Sequence, residues 1–136
     1  MAVFLDTNVF IYAAGGDGLL KQPCIELLRR VASGEVDAVT SAEVIQEIHH
    51  VFRRRGRLAD GVALGRDVAR LFPGLLPITR QDVLRSGEIL IARPQLSPHD
   101  ALHAATALNN GVTRIVLVDA DVGYVDGLQR LDPTDL

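Results

Sequence analysis

Asp6, Thr7 and Asn8 place a carboxylate, a hydroxyl and an amide between two apolar runs, Val3-Phe4-Leu5 and Val9-Phe10-Ile11. Further acids stand far away in sequence: Glu43 and Glu47, Asp100, then Asp119 and Asp121. Carboxylates gathered within a few Å repel and raise one another's pKa. A hard divalent cation such as Mg²⁺ or Mn²⁺ relieves that repulsion with oxygen ligands. No Cys/His constellation points to zinc, and His49 and His50 are neighbours on one helix, so their rings diverge. Phosphotransfer with Asp6 as nucleophile lacks its second acid, because position 8 is Asn, and Lys21 is the only lysine. Gly15-Gly16-Asp17-Gly18 lacks the Lys-Ser/Thr ending of a phosphate-cradling loop.

The elements that must carry these acids can be read from periodicity. Val3 to Leu5 is apolar at every position, as in a parallel strand buried on both faces. Residues 8–14 and 22–33 read as helices, and Val36 to Val39 as a second strand. Thr40-x-x-Glu43 fits a capping box, and Val44, Ile48, Val51 and Phe52 continue at helical spacing to the arginines before Gly56. Residues 58–72 and 81–92 read as two more helices, with a third short strand at Leu75 to Ile78. Ser97-Pro98-His99-Asp100 combines a cap, a first-turn proline and an acid, and opens a helix that stops near Asn110-Gly111. Arg114 to Val118 reads as a fourth strand, and Leu128 to Leu131 as an edge strand. Strands alternating with helices predict one α/β domain over residues 1–136, a three-layer sandwich with a short, mainly parallel sheet.

In such sheets ligands bind beyond the carboxyl ends of the strands. Asp6 follows the first strand, Asp119 and Asp121 follow the fourth, and Glu43 and Glu47 lie on the helix after the second. Each acid also has an ordinary explanation. Asp6 is a possible cap, with Thr7 and Asn8 as rivals, and Glu43 completes the capping box. Asp100 suits a helix N-terminus through the dipole, and Asp121 suits a turn. Glu47 lies too deep in its helix to cap, and Asp119 has little structural reason to follow a buried strand. Independent caps have no reason to converge on one end of a sheet, so a shared cation is the expectation.

The 136 residues carry a net charge of −3 and are 48% hydrophobic, enough for a full core. The charge is polarised: Arg53, Arg54, Arg55 and Arg57 cluster, while aspartates crowd the C-terminal end. The arginines are candidate RNA contacts, with solvation at a helix end as the plainer alternative. Aromatic residues are only 4%, which leaves few platforms for stacking bases. Cys24 lies in an apolar helical pattern and reads as a buried, inert thiol. The start of the chain has no basic leader, and no apolar run is long enough to span a bilayer. The expectation is a soluble cytoplasmic protein with no membrane association.

The stretches FLDTN, TSAEVIQEI, SPHDALHAATAL and IVLVDADV, in this order and spacing, resemble the PIN-domain family, in particular its VapC-type toxins. The resemblance covers essentially the whole chain. It implies that Asp6, Glu47, Asp100 and Asp119 are the four metal-binding acids and Asp121 an auxiliary one. Thr7 and Asn8 match the supporting polar residues. The implied activity is Mg²⁺- or Mn²⁺-dependent hydrolysis of RNA by an activated water. The implied partners are an RNA substrate, a second copy in a homodimer, and a VapB-like antitoxin that occludes the acidic cleft. Two positions depart from the pattern: Leu117 stands where a Thr or Ser is usual, and Val122 where an aromatic is common. A non-catalytic PIN-like module that binds RNA or a partner is the alternative, with Leu117 in its favour. His103, one turn after Asp100, reads as packing or as support for a ligand.

Overall fold

The computed structural model describes residues 1–16, 18–118 and 125–136. The apolar triplet Val3–Leu5 forms strand β1, buried at all three positions. A second strand, β2, is confined to Ala38–Val39. Val36 and Asp37 stay outside the strand expected over 36–39. Arg114–Val116 forms β3 and Gln129–Leu131 forms β4. The order is β2-β1-β3-β4, and every pairing is parallel. β1 is therefore central, which explains why it is apolar on both faces.

Among the described residues, six α-helices flank this sheet. They are α1 (Thr7–Ala14), α2 (Lys21–Ala32), α3 (Ala42–Arg54), α4 (Leu58–Leu71), α5 (Arg80–Ala92) and α6 (Pro98–Asn109). α1 packs on α2, α3 on α4 and α5 on α6. A core that includes Phe4, Leu5, Phe10, Leu27, Ile48 and Ile115 joins the layers. The architecture is the α/β sandwich expected.

Two local expectations fail. Thr40 does not open a capping box: the N-cap of α3 is Ser41, and the Thr40 hydroxyl donates to the Leu5 carbonyl at 2.9 Å. That bond ties the end of β1 to the start of α3. Residues 75–78 make no strand of their own. One bridge joins Leu76 to Ser41, and Pro77, which has no N–H, cannot extend the ladder. A true capping box occurs elsewhere, between Thr79 and Asp82 at the start of α5.

α3 is held very close to α4. A Cβ at Gly61 of α4 would lie 2.5 Å from Phe52 Cβ, and one at Gly65 would lie 3.0 Å from His49 Nε2. The α3–α4 contact thus requires small residues on α4, and it occupies one of the two adjacent histidines. Cys24 is buried, and burial pushes its thiol up to about 11, as befits an inert core residue. No helix among the described residues is long and apolar enough to cross a membrane.

Candidate active site

Asp6 leaves the carboxyl end of β1 and is 3% exposed. It occupies the N-cap position of α1, yet its side chain makes no capping hydrogen bond. Its Oδ1 is buried and has no hydrogen-bond partner among the described residues. Capping therefore does not explain Asp6. Burial pushes its carboxyl up to about 7; His103 pulls it down, while Asp100 and Glu47 add to the rise. Asp100 thus lies near enough for its charge to be felt by Asp6.

Glu47 reaches the same place from α3. One oxygen each of Asp6 and Glu47 and one nitrogen of His103 lie within 4.8 Å of one another. Burial works against the Glu47 charge, but hydrogen bonds from His103 and Thr7 and the nearby imidazoles hold its carboxyl below the usual range. Three elements that are distant in sequence, the β1–α1 junction, α3 and α6, therefore converge here. Helix α6 is set by the Ser97 hydroxyl, which accepts from the Asp100 backbone N–H at 3.1 Å. Asp100 is consequently in the first turn, as its sequence predicts.

His103 is the part of this cluster that spacing alone underrated. It is fully buried on α6, with Nε2 at 3.2 Å from Thr7 Oγ1, 3.4 Å from Glu47 Oε2 and 3.6 Å from Asp6 Oδ1. Carboxylates only accept, so Nε2 carries the proton in these contacts. Its Nδ1 is buried without a partner among the described residues, which is cheaper as a lone pair than as an N–H. A protonated nitrogen has no lone pair for a cation. His103 therefore stands among the acids as a donor that positions Glu47 and Thr7. Burial works against its charge, but the Glu47 hydrogen bond and the acids around it raise its pKa.

The remaining predicted residues separate clearly. Thr7 is fully buried in the cluster, and Asn8 is half-buried at the start of α1. Glu43 is no cap: it binds His99, with Oε1 at 2.9 Å from Nδ1. His99 was read from the sequence only as part of a helix start. Its Nδ1 is also 3.7 Å from Glu47 Oε2, so it borders the same pit. Asp119, Asp121 and Val122 lie outside the described residues. Leu117, in place of the expected hydroxyl, is 6% exposed and packed in the core.

Arg53 and Arg54 end α3, and Arg55 and Arg57 follow, all exposed. They do not enter the acidic pit. The Arg55 and Arg57 guanidiniums stand 5.7 and 5.4 Å from the Phe52 ring centroid, and Arg57 pairs with Asp60. Glu43 and Arg54 are eleven positions apart on α3, about 16 Å along its axis. The helix thus carries acids near one end and cations at the other.

The donor set and the orphaned Asp6 oxygen fit a divalent cation. Buried carboxylate oxygens without hydrogen bonds are costly, and a cation that accepts their lone pairs removes the cost. The PIN domain profile matches residues 3–128. The chain is 36% identical over 128 residues to ribonuclease VapC7 of Mycobacterium tuberculosis, covering 91% of this chain and 85% of that protein. Two solved structures share the fold. One is VapBC2 from Rickettsia felis bound to a promoter DNA fragment (TM-score 0.72, 15% identity, 97% and 98% of the two chains). The other is VapC20 from Mycobacterium tuberculosis, described as a sarcin–ricin loop cleaving toxin (TM-score 0.72, 20% identity, 88% and 91%). With β1, α3 and α6 delivering acids to one sheet end and the profile running through all three, the chain belongs to the PIN-domain family, among its VapC members.

Proposed function

We propose that this protein is a divalent-metal-dependent endoribonuclease and the toxin of a toxin–antitoxin pair. The observation that carries the reading is the buried Asp6 carboxylate, unsatisfied at Oδ1 and converging with Glu47 and His103. Asp6 and Glu47 would hold the cation, joined by Asp100, with Asp119 and Asp121 as further ligands. When bound, Mg²⁺ or Mn²⁺ acidifies an attacking water and neutralises charge that develops on the phosphate. Thr7 and His103 fix the Glu47 carboxylate, and Asn8 supports Asp6. The arginines after Phe52 bind flanking phosphates of the RNA.

The proposed partners follow the same reading. A VapB-like antitoxin covers the acidic pit. A second copy packs on α5, whose outer surface leaves Val83, Leu84 and Ile91 at 53%, 55% and 85% exposed. The setting is the cytoplasm, where RNA is available.

Incubation of the purified protein with RNA and Mg²⁺ or Mn²⁺ tests the function. Cleavage is expected with metal, and is expected to vanish in EDTA and in the Asp6→Asn and Asp100→Asn variants. RNA binding without cleavage under either metal would leave a binding module instead. Packing of Leu117 in the core does not favour that alternative, because a buried leucine there is explained by the core alone.

A further inference from the structure

We propose that the Ser41 hydroxyl holds the Asp6 carboxylate in place when that carboxylate carries the cation, so that Ser41 is a positioning residue of the site. This inference rests on the metal-dependent reading above and deepens it. Ser41 is fully buried, and its Oγ has no hydrogen-bond partner among the described residues. It stands at the N-cap of α3, where a serine ordinarily accepts from a first-turn N–H, yet its side chain makes no such bond. Glu43, in the first turn, is turned to His99. Local structure therefore leaves this hydroxyl unexplained. A buried hydroxyl without a partner is destabilising, and a methyl group would fill the same place without that penalty.

The sheet sets where Ser41 lies. β1 and β2 pair in parallel, with Val3 opposite Ala38 and Phe4 opposite Val39. The bond from Thr40 Oγ1 to the Leu5 carbonyl, at 2.9 Å, ties the next two residues together. Asp6 and Ser41 follow at once, and both are still extended, with ψ of 159° and 166°. Asp6 donates its N–H to the Val116 carbonyl of β3, and Ser41 bridges to Leu76 on its other side. The register carried one pair further sets Ser41 beside Asp6. Side chains alternate along a strand, so the two project from the same face. Ser41 Oγ and Asp6 Oδ1, both buried and both without partners, thus belong to neighbouring residues. One is a hydroxyl donor and the other a carboxylate acceptor. They are not bonded to each other, so the contact requires the carboxylate to turn about its Cβ–Cγ bond. A cation that takes one Asp6 oxygen fixes that rotation and leaves the other oxygen to accept from Ser41. Hydrogen bonds to a ligating carboxylate orient it and strengthen its hold on the metal.

The test reads Mn²⁺ affinity, from loss of the free-ion electron paramagnetic resonance signal, beside thermal melting in EDTA. Ser41→Ala is expected to bind Mn²⁺ about tenfold more weakly than the wild type, and to melt no lower in EDTA. Ser41→Cys keeps the volume with a weaker donor, and is expected to fall between the two in affinity. Thr106→Ala removes another fully buried hydroxyl that has no partner among the described residues, and is expected to leave Mn²⁺ affinity unchanged. A purely structural serine would move the melting temperature and not the affinity. Unchanged Mn²⁺ affinity in Ser41→Ala, a lower melting temperature for it in EDTA, or an equal loss of affinity in Thr106→Ala overturns the proposal. A wild type that binds no Mn²⁺ overturns the metal-dependent reading, and this inference with it.

Discussion

A carboxylate removed from water needs a proton or a cation in exchange, and Asp6 has been removed almost completely. Burial, more than its acidic neighbours, brings its pKa up to about 7 from 3.8. The folded state therefore holds this proton more tightly than the unfolded chain does. The sign follows: folding stability falls as pH rises from about 4 to about 7, and the deficit persists above that. In EDTA, Asp6→Asn is expected to raise the melting temperature over the wild type at pH 8. At pH 5 the difference is expected to be clearly smaller. Saturating Mn²⁺ is expected to restore the wild type at pH 8 and to do nothing for Asp6→Asn. Thermal denaturation at two pH values, with and without metal, measures all three. An Asn variant less stable than the wild type in EDTA at pH 8 would contradict the account of a costly buried acid.

At the scale of elements, the site depends on where α3 lies, because that helix carries Glu43, Glu47 and the first two arginines, Arg53 and Arg54. Its position is set partly by glycines opposite it. Gly61→Ala places a Cβ against Phe52 and is expected to destabilise by about 1–3 kcal/mol through overpacking. Gly87, on α5, has nothing within 4 Å of an added Cβ. Gly87→Ala is expected to stabilise the fold of the single chain by about 0.5–1 kcal/mol, since within that chain it removes only the helix penalty of glycine. Urea titrations of the two variants read the opposite signs. If Gly61→Ala costs nothing, the α3–α4 contact is looser than these distances require. Gly56 serves differently: its φ of +71° ends α3 and turns the chain into α4.

For the whole molecule, the net charge of −3 hides a dipole-like arrangement, acids at the sheet end and arginines beyond Phe52. RNA binding is expected to weaken with salt. The double variant Arg54→Ala/Arg55→Ala is expected to flatten the log–log salt dependence by about 1.4, two phosphate contacts at the single-strand value. Anisotropy across a NaCl series tests it, and an unchanged slope removes these arginines from the interface. The apolar surface of α5 makes a separate demand. Leu84 and Ile91 lie seven positions apart, two helical turns, so they share one side of α5. Leu84→Glu with Ile91→Glu is expected to convert a dimer to a monomer in analytical ultracentrifugation. A wild type that is monomeric at micromolar concentration would dismiss this surface as the dimer contact.

Much of this was present in the linear order of residues. The all-apolar triplet before Asp6 marks a central parallel strand because only such a strand buries both faces. Ser97-Pro98 marks the start of α6, since capping is a local matter of side chain and backbone. The positions of Asp6 after the first strand and Glu47 on the helix after the second also pointed to one end of the sheet, where the two acids meet. Local rules failed where a distant group outbid a near one. The Thr40 hydroxyl bonds to the Leu5 carbonyl instead of capping its own helix, and Glu43 turns to His99 instead of back to the N-terminus. Residues 75–78 had the composition of a strand, yet Pro77 follows the single bridge and only the fold reveals how little edge was available. His103 carries no sign in the sequence that separates a packed imidazole from one bonded to two other elements. Composition and periodicity determined the helices, the central strand and which acids stand at their ends, but not how much edge residues 75–78 would find. Only tertiary structure decided which side chains share hydrogen bonds and lose their water, because both depend on groups that meet in space from remote parts of the chain.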